Sequence, residues 1–66
     1  MDAKMIDDLE KELLENGSAD FYACHKEYGY DILNYLFNIG KIRFNADIKI
    51  KGLIRITPTK KLLEEE

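Results

Sequence analysis

The chain has one cysteine, one histidine, one proline and no tryptophan in 66 residues. A lone cysteine excludes an internal disulfide framework and fits a reducing compartment, so a cytoplasmic setting is expected. One thiol and one imidazole cannot supply the three or four convergent ligands of a zinc site, so neither metal nor cofactor is expected. Cys24 and His25 are adjacent in sequence. Helical neighbours point ~100° apart, which is the wrong geometry for a nucleophile and its base. No GxGxxG or GK[ST] phosphate loop occurs. Nowhere do more than four apolar residues follow one another. Neither a membrane-spanning helix nor a signal-peptide core is therefore read, and no membrane partner is expected. Together these absences point away from an enzyme and towards a binding module.

What is present suffices for a fold. Apolar residues make up 45% of the chain, which argues against wholesale disorder, and the 35% charged content suits a small domain that is mostly surface. The length predicts a single domain over 1–66. It buries only ~60% of the surface its unfolded form exposes, with a stability of roughly 3–5 kcal/mol. The net charge of −3 hides a segregation. Residues 1–40 carry nine acids and three bases, whereas residues 41–63 carry seven bases against Asp47 alone, and three glutamates close the chain. A cationic segment on an acidic protein can still attract phosphate, although strand-borne lysines also serve simply to keep a sheet soluble.

Periodicity divides the chain into helices and then strands. Met5, Ile6, Leu9 and Leu13 repeat at helical spacing and predict a helix over 2–15, closed by Asn16-Gly17. Ser18 is the expected cap of a second helix over 19–26, with Phe21 and Cys24 inward. Gly29 makes a tight turn before a third helix over 30–38, with Ile32, Leu33 and Leu36 inward. From residue 41 the period becomes two: polar residues at odd positions alternate with Ile42, Phe44, Ala46, Ile48 and Ile50. That pattern predicts a strand over 41–51, with Leu53 to Ile56 returning after Gly52 as a hairpin. A turn at Asn45-Ala46-Asp47, giving three shorter strands, is the alternative. Ile42, Phe44, Ile48, Ile50, Ile54 and Ile56 should face the helices, while Lys41, Arg43, Lys49 and Lys51 face water. Thr57-Pro58 reads as the start of a short closing helix with Leu62 and Leu63, frayed by the terminal glutamates.

The run Ser18-x-x-Phe21-x-Ala23 to Tyr28-Gly29-Tyr30-x-Ile32-Leu33-x-x-Leu36, followed by Gly40-Lys41-Ile42, resembles the second helix, turn, third helix and opening wing strand of winged helix-turn-helix proteins. The tail Leu53-Ile54-Arg55-Ile56-Thr57-Pro58 to Leu63 is similar to the "L-T-P-x-G-x-x-x-L" close of MarR-like and PadR-like regulators, with Lys60 standing where that pattern has glycine. The resemblance implies an α+β fold: three helices, a β-hairpin wing and a short C-terminal helix. It also implies transcriptional regulation by binding duplex DNA, with the third helix in the major groove.

The outward side of that third helix shows Tyr30, Asp31, Asn34, Tyr35 and Asn38, and no base lies between Lys26 and Lys41. Any attraction to DNA must then come from Lys41, Arg43, Lys49, Lys51 and Arg55, with Asn34 and Asn38 as the candidates for base edges. A homodimer is expected, since one short copy offers little contact area. The alternative reading is an adaptor that binds another protein through the third helix. Six of seven aromatics crowd into residues 21–37, and Tyr30, Tyr35 and Phe37 are its interface candidates.

Overall fold

The Asp2 carboxylate starts the first helix, α1 (Ala3–Asn16), by accepting from the amides of Lys4 at 2.9 Å and Met5 at 3.4 Å. Those donors have no earlier turn to reach. The structure is a computed structural model that describes residues 2–65. Gly17 closes α1 at φ 84°, the left-handed conformation that glycine alone adopts freely. A two-residue strand, β1 (Ala19–Asp20), runs directly into α2 (Phe21–Tyr28), and α3 (Tyr30–Asn38) follows after Gly29. The remainder is β2 (Ile42–Ala46), β3 (Ile54–Pro58) and α4 (Lys60–Glu64). Among the described residues, four helices and a three-stranded antiparallel sheet thus make an α+β arrangement of winged-helix type.

The last strand lies in the middle of the sheet, which has the order β1-β3-β2. Ala19 pairs with Ile56 across β1 and β3; Phe44 pairs with Ile56 and Ile42 with Pro58 across β2 and β3. Period two therefore turns Ala19, Ile42, Phe44 and Ile56 towards the helices, and Arg43, Asn45, Arg55 and Thr57 away from them. Leu9 and Leu13 from α1, Leu33 and Leu36 from α3, Ile42 and Ile56 form the fully buried centre. Cys24, also buried, closes it under α2.

Several expected boundaries move, each for a local reason. The strand read over 41–51 stops at Ala46, and Ile48 and Ile50, expected inside, are exposed. Asp47 ends it: one carboxylate oxygen accepts from the amides of Lys49 at 2.7 Å and Ile50 at 3.0 Å, a side-chain turn that competes with the ladder. The chain reverses over 47–53, just beyond the alternative turn at Asn45-Ala46-Asp47. The third strand comes instead from Ala19–Asp20, ahead of α2.

That pairing shifts the start of α2 to Phe21. Asp20 caps it, accepting from Ala23 at 2.9 Å, whereas Ser18, the expected cap, accepts from Arg55 at 2.8 Å. Thr57 and Pro58 finish β3 rather than starting α4. Pro58 lies past the reach of β1, so its missing donor is not needed there. Thr59 flanks α4, its amide donating to the Lys41 carbonyl at 3.0 Å and its hydroxyl to the Gly40 carbonyl.

Two of the closing glutamates are tied down: Glu64 lies 3.7 Å from Lys60, and Glu65 lies 2.7 Å from Lys41. Glu66, the third, is outside the described residues. Of the two leucines read into α4, Leu62 is buried and Leu63 is exposed.

Candidate nucleic-acid interface

The five bases expected to attract DNA are divided by the fold into three groups. Lys41 stands just ahead of β2, and its ammonium sits 3.1 Å from Glu10 of α1 and 2.7 Å from Glu65 beyond α4. Its side chain is only 18% exposed. The hydrogen bond to Glu65 raises its pKa, burial opposes that, and Glu10 raises it further. Lys41 is therefore a cation joining three segments, and the expectation that it faces solvent is corrected. Its amine has two carboxylates at closer range than any phosphate could reach without breaking the clamp.

Arg43 and Arg55 share the outer face of the sheet, as the register Arg43 opposite Thr57 and Asn45 opposite Arg55 requires. Arg43 is exposed. Arg55 is half-buried and spends one guanidinium nitrogen on Ser18. Asn45 donates to the Thr57 hydroxyl at 2.8 Å, which stiffens the polar face between the two arginines.

Lys49 and Lys51 form the third group. They lie in the 47–53 loop rather than on a strand, so the shared face expected with Lys41 and Arg43 does not form. The loop is nonetheless ordered by backbone as well as by Asp47. The Asp47 amide donates to the Leu53 carbonyl at 2.9 Å, and the Leu53 amide donates to the Ile50 carbonyl at 3.2 Å. Gly52, at φ 86°, makes the final bend that a side chain would strain. Among the described residues no carboxylate lies within 4.0 Å of the side-chain nitrogens of Arg43, Lys49 or Lys51.

On the helix side, α3 presents Tyr30, Asn34, Tyr35, Phe37 and Asn38 to solvent, with Asp31 as its one charge. Phe37 is 47% exposed and stacks on Phe44 of β2, with ring centroids 5.0 Å apart and planes 11° from parallel. Phe44 meets Phe21 edge-on at 5.3 Å, and Phe21 meets Tyr22 edge-on at 5.5 Å. His25 lies between Phe21 and Tyr30, at 5.9 and 6.0 Å. The result is a continuous aromatic band from α2 across the wing strand to α3, exposed at both ends. Tyr35 projects on the far side of α3 with Asp31, Asn34 and Asn38 around it. It does not join the band.

Sequence reading missed Ile48, Ile50 and Tyr22 as surface residues. The signal for the first two was Asp47, whose short carboxylate favours a turn over a strand wherever two amides follow it in range. Cys24 is buried as expected, and burial first, then the nearby Glu12, Glu27 and Asp20, push its thiol up to about 11. Among the described residues, no helix is long and apolar enough to cross a membrane, and no three His, Cys, Asp or Glu side chains are placed to hold a metal ion. Comparison of the chain with protein-family models, with curated proteins and with solved structures finds no match.

Proposed function

We propose that the chain is a small winged-helix nucleic-acid-binding protein, a transcriptional regulator that meets duplex DNA through its wing and acts as a homodimer. The observation that carries this reading is the 47–53 loop: an ordered, exposed hairpin tip that offers Lys49 and Lys51 without an internal carboxylate partner. Arg43 extends the same charge down β2. With Lys41 clamped and α3 free of cations, phosphate contact falls to the wing, and Asn34 and Asn38 are left as the side chains able to touch a base edge. A second copy doubles the few contacts that one wing supplies.

The test is retention of a fluorescent duplex as a function of salt. Replacing Lys49 and Lys51 with alanine should weaken binding to all sequences and flatten the salt dependence by about two units, at roughly 0.9 for each phosphate no longer neutralised. Absence of low-salt retention by the parent protein, or retention unchanged in the double variant, defeats this reading.

The aromatic band favours a second reading, an adaptor that captures a protein through α3. Exposed Phe37 and Tyr30 beside uncharged Asn34 are the composition of a protein interface more than of a phosphate-facing helix. There Phe37→Ala or Tyr30→Ala should abolish capture of the partner, while the double lysine variant stays silent.

A further inference from the structure

Ile48 is fully solvent-exposed, at 100%, on a hairpin tip whose turn is hydrogen-bonded through Asp47. Its two chain neighbours on that tip are the carboxylate that orders it and a lysine; Lys51 follows directly after Ile50. A loop whose only task was to carry positive charge would have no use for isoleucine there, and none for a fixed shape. The shape is fixed on both sides of Ile48: Asp47 accepts from the amides of Lys49 and Ile50, and its own amide is bonded to the Leu53 carbonyl. A β-branched side chain adds stiffness of its own, because few χ1 rotamers are open to it.

We propose that the wing tip is a wedge, with Ile48 entering a base step from the minor groove while Lys49 and Lys51 hold phosphates beside it. This deepens the reading of the wing as the DNA contact and rests on it. The minor groove, ~6 Å wide, admits a hairpin tip but not a helix. Apolar side chains that part a base step there bend the duplex away, towards the major groove. The flanking lysines supply the attraction that the unstacking opposes, and the prearranged turn lowers the ordering cost of insertion. The bend also brings further backbone within reach of Arg43, the exposed arginine of the sheet face. Steps that part easily, such as TA, should be preferred over a stiff A-tract, without any hydrogen bond to a base.

The experiment uses two duplexes labelled at both ends, one with a central TA step and one with a central A-tract. Binding of the parent protein should raise energy transfer between the ends of the TA duplex, as a bend in the range of ~20–90° requires. Ile48→Ala should remove that rise and weaken binding to the TA duplex roughly tenfold, leaving the salt slope unchanged because both lysines still neutralise their phosphates. The side chain touches nothing inside the domain, so the variant folds; an unaltered far-UV spectrum checks this. Binding with the expected salt slope but no bend, or with Ile48→Ala equal to the parent, overturns the wedge and leaves the wing as a phosphate contact only. No retention of either duplex at low salt overturns both. Sedimentation with anionic phospholipid vesicles that disappears in Ile48→Ala, in protein that does not bend DNA, assigns the tip to a lipid surface and overturns the wedge.

Discussion

Replacing Leu33 with alanine should leave most of the protein unfolded in plain buffer, seen as loss of the helical far-UV signal and of a cooperative urea transition. Leu33 is fully buried on α3, within the same cluster as Leu9, Leu13, Leu36 and Ile56. Truncating a buried leucine removes its transfer free energy and leaves a cavity that the surroundings fill only in part, at ~2–5 kcal/mol. The whole domain has roughly 3–5 kcal/mol to lose. Leu63→Ala is the matched control: the same chemical change on an exposed residue of α4, expected to shift stability by no more than about 0.5 kcal/mol. A Leu33→Ala protein with the parent's urea midpoint would show that this cluster does not hold the fold.

Stability should also fall steadily as the pH is raised from about 9, the ordinary value for the Cys24 thiol, towards about 11, where burial holds it in the fold. The unfolded chain gives up this proton first, so between the two values the folded state binds more protons and loses ground with each unit. The full loss from Cys24 is on the order of 2–3 kcal/mol, since each unit corresponds to ~1.4 kcal/mol. The Tyr28 hydroxyl acts in the same direction. Burial raises its pKa, and so does its hydrogen bond to Glu12, to which it donates at 3.1 Å.

Lys41 has the same sign by a different route. Its folded value is raised chiefly by the hydrogen bond to Glu65. The ion pairs are thus intact below the ordinary lysine value and are lost as pH climbs through the folded one. Urea midpoints at pH 8, 9, 10 and 11 should therefore descend, and Cys24→Ala should flatten the fall between 9 and 11. A midpoint constant over that range would contradict the burial of both Cys24 and Tyr28. By the same protonation argument, native Cys24 should react with a thiol reagent far more slowly than in unfolded protein, because little thiolate forms at neutral pH.

The first and third helices were legible because their signals are local. The start and end of α3, at Tyr30 and Asn38, follow from Gly29 before it, Gly40 after it and an inward stripe of Ile32, Leu33 and Leu36. Alternation was a true guide to the sheet as far as Ala46. It misled beyond that point because an ordered loop can alternate by composition alone, and Asp47 decides between the two by what its carboxylate bonds. A two-residue strand such as β1 has no periodicity to read. For the proposed interface, charge counting pointed to the wing but could not sort its members. The removal of Lys41 depends on Glu10, 31 residues earlier in the chain, and the anchoring of Arg55 depends on Ser18, 37 residues earlier. Pairings at that separation are consequences of the fold, and local spacing carries no trace of them.

Placing the last strand at the centre of the sheet sets the order in which the chain can complete itself. Neither β1 nor β2 pairs with the other; both wait for Ile54–Pro58. During synthesis, at ~5–20 residues per second, the three large helices emerge as a loose apolar assembly whose sheet partner does not yet exist. The closing contacts, such as Ala19 with Ile56, span more than half the chain, which slows the search for them. Synthesis halted before residue 54 should accordingly yield a collapsed, protease-sensitive nascent chain, and a few residues more should convert it into a resistant one.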